Sequence, residues 1–266
     1  MINQWIIIFS IGNLLLLLCA LLFFVPKKIW KNISHNILNH LSMQYPYLLL
    51  VGSVVGFHLI EVNFIDPWIT SQIGTDYALV FVQLEGNIIG QLPHLWHPLL
   101  VTFFVMIYII IYPFTLWFSP FYFLIAGKVS AMKSLAYGLF IMYICTLPFY
   151  LFFPVTNVYT FMESPSALSM ALPGIEKFFY TTTTSNNCFP SLHVAMTILI
   201  AYTAWKTQNQ RYFVFTSVIA IMVIISVMYL AIHWITDVLG GVAIALLAIS
   251  LLNFMEKKKT NESKTN

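Results

Sequence analysis

The chain has 266 residues, of which 60% are hydrophobic and only 8% are charged, and its formal net charge is +3. A chain this apolar cannot hide its nonpolar side chains in a water-soluble core, which excludes an ordinary globular protein. The small net charge gives no indication of nucleic acid binding, and we expect no such partner.

Seven apolar stretches predict an all-α fold, a polytopic membrane helix bundle with six to seven transmembrane helices. Each stretch is close to the ~20 residues that a helix needs to cross the hydrocarbon layer, although the fifth is short. The first has no preceding basic region and no small-residue cleavage pattern, so we interpret it as a retained helix. The stretches are 5–25, 47–65, 99–123, 135–153, 191–205, 212–232 and 234–254.

Two amphipathic segments connect these spans. Isoleucine or leucine recurs every four residues from Ile29 to Leu41, which predicts either a helix along the inner interface or a connecting helix packed on the bundle. An apolar stripe from Tyr77 to Ile88 predicts a second helix that rests on the outer interface or dips partly into the membrane. No polar stretch is long enough to form a soluble domain.

We therefore divide the chain into three parts. Residues 1–98 form an amino-terminal membrane region with two spans, 99–254 a catalytic helix bundle, and 255–266 a basic cytoplasmic tail. The sequence does not indicate an oligomeric state.

Lysine and arginine predict the orientation in the membrane, because they stay preferentially on the cytoplasmic side. Eleven of the 12 cationic side chains fall in alternate connections, and Lys177 is the exception. We therefore expect a multi-pass protein of the cell membrane with its amino terminus outside. Asp66, Asp76, Glu85 and Asp237 then lie on the extracytoplasmic side with Lys177.

The first chemically distinctive cluster is Pro190-Ser191-Leu192-His193. Proline suits the first turn of a helix and leaves the following backbone amides pointing outward. These amides, including that of Leu192, and the positive end of the helix dipole predict a site for an anion.

The second cluster is His233 and Asp237. Four residues apart on a helix, they share a face, so the carboxylate can hold a proton on one imidazole nitrogen and leave the other as a nucleophile. The topology places His193 and His233 at similar depth on the outer side. We therefore expect a reaction centre at the outer ends of two neighbouring helices.

Other ionisable residues suit structural roles better. His58 and Glu61 are three residues apart, which favours an internal polar contact. His94 and His97, with Glu85 upstream, are possible metal ligands, but the neighbouring prolines and aromatic residues favour an interfacial segment. We expect no metal and no cofactor. Gly240 and Gly241 predict close helix packing.

These clusters resemble the type 2 phosphatidic acid phosphatase superfamily of membrane lipid phosphatases and phosphotransferases. Pro190, Ser191 and His193 match the family's PSxH motif, and Ser226, His233 and Asp237 match the spacing of its SRxxxxxHxxxD motif. The sequence CFPSLHVA has leucine where ordinary lipid phosphatases carry glycine. It is more similar to the branch that contains inositol phosphorylceramide synthase.

The resemblance implies a mechanism and shows one departure. It implies that His233 attacks phosphorus, Asp237 orients it, His193 protonates the departing oxygen, and Ser191 and nearby amides hold phosphate. However, Val227 replaces the family's arginine, and the basic KxxxxxxRP motif is absent. Lys177, neutral donors such as Asn157, Thr183 and Asn187, or a bound cation must then balance the phosphate charge, and we favour Lys177 with neutral donors.

The resemblance thus implies an enzyme that cleaves or transfers a phosphate-containing head group at the outer leaflet. We expect a membrane lipid phosphate as substrate and, for transfer, a lipid hydroxyl as acceptor. Phosphatidate-like lipids, polyprenyl phosphates and phosphodiester lipids all remain candidates. The alternative is a non-catalytic lipid-binding or transport protein that kept the scaffold but lost the basic motif.

Overall fold

A computed structural model describes residues 2–86 and 88–265. The described chain is helical apart from turns, loops and one isolated bridge between Val155 and Asn187. This confirms the predicted all-α membrane bundle. The α-helices are α1 (Ile2–Phe24), α2 (Lys27–Ile60), α3 (Asp66–Ile73), α4 (Ala78–Glu85), α5 (Pro98–Met106), α6 (Tyr112–Ile125), α7 (Val129–Phe152), α8 (Val158–Phe161), α9 (Ala167–Ala171), α10 (Glu176–Phe179), α11 (Leu192–Lys206), α12 (Gln210–Tyr229) and α13 (Ile235–Thr265).

Two π-helical turns join neighbouring helices without a break. Glu61–Ile65 links α2 to α3, and Ile107–Ile111 links α5 to α6. A 3₁₀ segment, Ile89–Leu95, precedes α5. Because π turns change which side chains share a face of the helix, both turns alter the residues presented to the bundle.

Five helical runs of the described chain are long and apolar enough to cross a membrane: Asn36–Ile73, Pro98–Ile125, Val129–Phe152, Gln210–Tyr229 and Ile235–Glu262. A shorter apolar run, Ser10–Phe24, coincides with the first predicted span. The fifth predicted span corresponds to α11, which has only 15 residues. The protein is therefore an integral membrane protein.

The two predicted amphipathic segments adopt different structures. The segment from Ile29 to Leu41 is the beginning of α2 and continues into the second span, so it is not a separate helix. The stripe from Tyr77 to Ile88 is largely α4, where Phe81 is buried and Leu84 is exposed. Its buried side packs on the bundle: Phe81 contacts Phe189 at a ring-centroid distance of 5.5 Å.

Helix α11 has a central position, because it packs against α6, α7, α12 and α13. Its approach to α13 depends on the predicted glycines: a Cβ added to Gly241 would lie 2.4 Å from the Ser191 carbonyl oxygen. At Gly240, a Cβ would lie 2.8 Å from the Phe189 ring. The prediction that these glycines permit close packing is confirmed.

Candidate active site

Ser191 places His193 at the start of α11. Ser191 is the N-cap residue, and its Oγ accepts a hydrogen bond from the Val194 amide at 3.4 Å. Pro190 therefore precedes the cap, whereas the sequence predicted it in the first helical turn. The Ser191 amide donates to the backbone carbonyl of Asp237 at 2.9 Å, which ties the start of α11 to the first turn of α13.

His233 and Asp237 meet, but not on one helix as the sequence predicted. The turn after α12 contains Ala231 with φ of 53°, and α13 begins only at Ile235, so His233 lies in the connection between the helices. Asp237 Oδ2 accepts from the Trp234 amide at 2.8 Å and lies 3.2 Å from His233 Nδ1. A helix-capping carboxylate therefore also orients the imidazole.

The two histidines are in direct contact. His233 Nε2 lies 3.4 Å from His193 Nδ1, and the ring centroids are 5.5 Å apart. Only 3% of His233 and none of Asp237 is exposed. Burial lowers the pKa of His233 to about 3, so its ring is neutral near neutral pH and keeps a lone pair.

Comparison of the chain with known protein families identifies one match. Residues 87–251 match the model of the PAP2 superfamily. The chain belongs to that superfamily. Neither a curated protein nor a solved structure matches the chain. The matched region contains His193, His233 and Asp237, so the superfamily motifs and the observed contacts concern the same three side chains.

The position of the PAP2 superfamily's missing arginine is apolar and buried. Val227 is fully buried, and its carbonyl accepts from the amides of Ile232 and His233, both at 3.0 Å. Ser226 donates its hydroxyl to the Met222 carbonyl of its own helix at 2.6 Å. Among the described residues, no lysine or arginine forms a hydrogen bond or ion pair with His193, His233 or Asp237.

The four predicted phosphate-binding positions differ in location. Ser191 and Leu192 lie beside the histidines, where the Tyr150 hydroxyl donates to the Pro190 carbonyl at 2.9 Å and also faces the Leu192 amide. Asn187 donates to Glu61 Oε1 at 3.3 Å. Lys177 is exposed on α10. A phosphate at the start of α11 would therefore compete with the Tyr150 hydroxyl for the Leu192 amide, whereas the Ser191 hydroxyl can still donate its own proton.

The other proposed neutral donors form part of the loop structure. Asn157 Oδ1 accepts from the Thr160 amide at 2.9 Å, and Asn157 Nδ2 donates to the Tyr180 hydroxyl at 3.1 Å. The hydroxyls of Tyr159 and Tyr180 are also hydrogen-bonded. Burial raises the pKa of both tyrosines, so they remain protonated and can donate hydrogen bonds.

Glu85 has a structural role that the sequence did not indicate. Its carboxylate accepts from the amides of Ile235 at 2.9 Å and Thr236 at 2.6 Å, so α4 caps the helix that carries Asp237. A carboxylate at a helix N-terminus is favourable because it meets free amides and the positive end of the dipole. His94 and His97, considered above with Glu85 as metal ligands, have exposed side chains.

The predicted polar contact in the second span is confirmed. His58 Nδ1 lies 3.5 Å from Glu61 Oε2, and the Tyr143 hydroxyl donates to the same oxygen at 3.2 Å. The π turn that begins at Glu61 also places the buried Asp66 near it. With Asn187, this polar cluster links the amino-terminal region to the loop before α11.

One group of side chains near the histidines contains metal-ligand types. Ligand atoms of Cys188, His233 and Asp237 all lie within 4.8 Å of one another. Burial raises the pKa of the Cys188 thiol, which disfavours the thiolate that a metal requires. Asp237 Oδ2 accepts from the Trp234 amide and lies against His233 Nδ1, whereas Asp237 Oδ1 is buried without a hydrogen-bond partner among the described residues. In this arrangement Asp237 Oδ2 orients His233.

Tyr108 is the closest site residue that sequence reasoning missed. It belongs to the second π turn, only 1% of it is exposed, and its hydroxyl lies 3.0 Å from His193 Nε2. It stands within a long apolar run, where a tyrosine gives no local signal of a contact 85 residues away.

Proposed function

We propose that this protein is an integral membrane lipid phosphatase or phosphotransferase that works through a phosphohistidine at the outer leaflet. The main support is the contact between His233 Nε2 and His193 Nδ1, with Asp237 on the opposite nitrogen of His233. A nucleophile with an orienting carboxylate and an adjacent acid–base group are what phosphoryl transfer through a covalent intermediate requires. Membership of the PAP2 superfamily supports the same reaction class.

The reaction has two halves. In the first, the His233 Nε2 lone pair forms a bond to phosphorus while the bond to the leaving oxygen breaks, and that oxygen takes a proton from His193. In the second, water or a lipid hydroxyl attacks phosphorus, His193 accepts its proton, and His233 is released. Because the two nitrogens are only 3.4 Å apart, the rings must separate to admit a phosphoryl group.

The charge of the site supports one substrate class over another. With Val227 buried and no cation bonded to the histidines in the described chain, the site suits a phosphodiester or diphosphate, which carries less charge per phosphorus than a monoester. A phosphodiester lipid could donate its head group to a lipid hydroxyl, as the resemblance of CFPSLHVA to the inositol phosphorylceramide synthase branch suggests. The proposed outer location follows from the lysine distribution.

Product analysis with a panel of lipids tests the proposal. Purified protein is incubated with a phosphatidate, a polyprenyl diphosphate and a phosphodiester lipid, each with and without a lipid alcohol. Released phosphate, released phosphorylated head group and new lipid products are then measured. We expect turnover of at least one substrate and a fall of at least about 100-fold in His233→Ala, because the nucleophile is lost.

A control variant shows whether the loss of activity is specific to His233, and the lipid alcohol distinguishes transfer from hydrolysis. His97→Ala removes an exposed imidazole on the same predicted side and should keep full activity. A new phosphorylated lipid formed only with the alcohol identifies a transferase. Release of phosphate, or of the phosphorylated head group from the phosphodiester, without such a product identifies a phosphohydrolase. Equal turnover by the native protein and His233→Ala, or none by either, would contradict the proposal and favour a non-catalytic lipid-binding protein.

A further inference from the structure

Tyr108 completes a hydrogen-bonded row that begins at Asp237. The row runs from Asp237 Oδ2 to His233 Nδ1 at 3.2 Å, from His233 Nε2 to His193 Nδ1 at 3.4 Å, and from His193 Nε2 to the Tyr108 hydroxyl at 3.0 Å. Each imidazole therefore uses both nitrogens. The two ends of the row differ, because one is a carboxylate and the other a phenol.

The donor and acceptor properties of these four side chains determine which imidazole nitrogens carry protons before substrate binds. An ionised carboxylate only accepts, so His233 Nδ1 carries a proton and Nε2 has the lone pair. His193 must then donate from Nδ1, and in its neutral form its Nε2 has a lone pair that accepts from Tyr108. The phenol thus selects the tautomer of His193 whose proton faces His233.

The π turn accounts for the position of this phenol. Ile107–Ile111 lies between α5 and α6, and both Tyr108 and Tyr112 turn their rings to His193, at centroid distances of 5.1 and 5.4 Å. The two tyrosine rings are stacked with an interplanar angle of 6°. Only Tyr108 reaches the imidazole nitrogen, since the buried Tyr112 hydroxyl has no hydrogen-bond partner in the described part of the chain.

We propose, building on the function proposed above, that Tyr108 is a positioning residue that directs the Nδ1 proton of His193 toward the leaving oxygen. When the anionic substrate binds, His193 takes up a second ring proton from solvent. The Nδ1 proton then passes to the leaving oxygen as the phosphorus–oxygen bond breaks. The Nε2 proton stays on the ring and is donated to the Tyr108 oxygen, so Tyr108 itself neither gains nor loses a proton.

The same contact serves the second half of the reaction. After the first proton transfer, His193 carries its remaining proton on Nε2, and its Nδ1 has a lone pair on the reaction side. That lone pair accepts the proton of water or of the lipid hydroxyl that attacks phosphohistidine. His193 then returns its Nε2 proton to solvent, which restores the neutral ring and the Nε2 lone pair. The Tyr108 hydroxyl suits both protonation states of His193, because it can donate to Nε2 when that nitrogen has a lone pair and accept from Nε2 when it carries a proton. A carboxylate, which only accepts when ionised, would hold the proton on Nε2 and suit only one state.

The dependence of the rate on the leaving group tests this role. Native protein and Tyr108→Phe are compared on two esters of the same phosphoryl group, presented in the same detergent micelles. One ester has an alkyl alcohol as leaving group and the other has p-nitrophenol. The alkoxide needs a proton to leave, whereas p-nitrophenolate leaves readily without one. We measure kcat/KM, which includes the first chemical step.

We expect Tyr108→Phe to lower kcat/KM about 10- to 100-fold on the alkyl ester and less than about threefold on the p-nitrophenyl ester. His193→Ala should show the same pattern with a larger loss. Tyr112→Phe is the matched control, because it lies on the same element beside the same ring without the hydrogen bond, and the ratio between the esters should stay at the native value.

The outcomes separate this inference from the proposed function. If the native protein turns over neither ester nor any lipid of the panel, the proposed function fails. If the native protein is active but Tyr108→Phe loses activity equally on both esters, or on neither, the role of Tyr108 is wrong. An equal loss would indicate a packing role for the phenol, and a thermal unfolding measurement on the same variant would show the accompanying destabilisation.

Discussion

At the scale of single residues, the site relies on neutral groups where the family pattern has cations. Val227 is fully buried in the apolar core, and the amides and hydroxyls around Ser191 bond to other protein groups. Oriented amides and hydroxyls can stabilise a phosphate without a lysine or arginine beside it. In the proposed function, the charge that attracts an anionic lipid then comes from farther away, and Lys177 is the one cationic residue that the sequence places on this side.

Lys177→Ala tests that long-range contribution. We expect KM for the preferred lipid phosphate to rise about three- to fivefold with little change in kcat, because an exposed charge attracts the substrate without touching the reacting atoms. The effect should shrink at high salt. Lys258→Ala removes another exposed charge, near the carboxyl-terminal end of α13, and should leave KM unchanged. An unchanged KM in Lys177→Ala would assign the phosphate charge to neutral donors alone.

At the scale of helices, the geometry of the candidate site depends on how closely α11 and α13 approach. His193 lies in the first turn of α11 and Asp237 in the first turn of α13, and the Ser191 amide bonds directly to the Asp237 carbonyl. Gly241 permits this approach because it presents only a hydrogen atom to the Ser191 carbonyl. The contact is between two backbones, so rotation of a side chain cannot relieve a clash there.

Gly241→Ala should therefore disturb both stability and activity. The new Cβ would lie 2.4 Å from the Ser191 oxygen, and separation of the helices should cost about 1–3 kcal/mol of unfolding free energy. Because the separation moves His193 from His233, kcat should fall more than thermal stability alone explains. Gly52→Ala is the control: its Cβ would meet no atom within 4 Å, so the melting temperature and kcat should not fall. Native behaviour of Gly241→Ala would show that this approach is not required.

The elements also show what the sequence could and could not predict. Long apolar runs predicted seven spans, of which five correspond to helices long enough to cross a membrane, and the spacing of His233 and Asp237 identified a pair that is in contact. The sequence did not show that a turn at Ala231 removes His233 from the helix, since apolar composition continues through the turn. The contacts of Glu85 with α13 and of Tyr108 with His193 join distant parts of the chain, so no local pattern predicts them.

At the scale of the whole molecule, a group of four cationic side chains and the histidine pair lie near opposite ends of α11 and α13. Lys27, Lys128 and Arg211 line one cavity of about 530 Å³, which brings three separate connections together. Lys206, the last residue of α11, bonds to Glu256 of α13 and donates to Ser134 of α7 at 2.8 Å. His193 and Asp237 lie in the first turns of the same two helices. If the cationic end is cytoplasmic, the histidine pair lies near the outer surface.

Thiol labelling in intact cells tests this orientation. Cys188 is a poor reporter because it is buried beside the histidines, so we place single cysteines at two exposed positions, Thr182→Cys in the loop before α11 and Gln210→Cys at the start of α12. A membrane-impermeant maleimide should label Thr182→Cys in intact cells and Gln210→Cys only after permeabilisation, because the lysine distribution places these residues on opposite sides. The reverse pattern would place the active site on the cytoplasmic side. Labelling of both in intact cells would contradict the alternation of spans on which the sidedness rests.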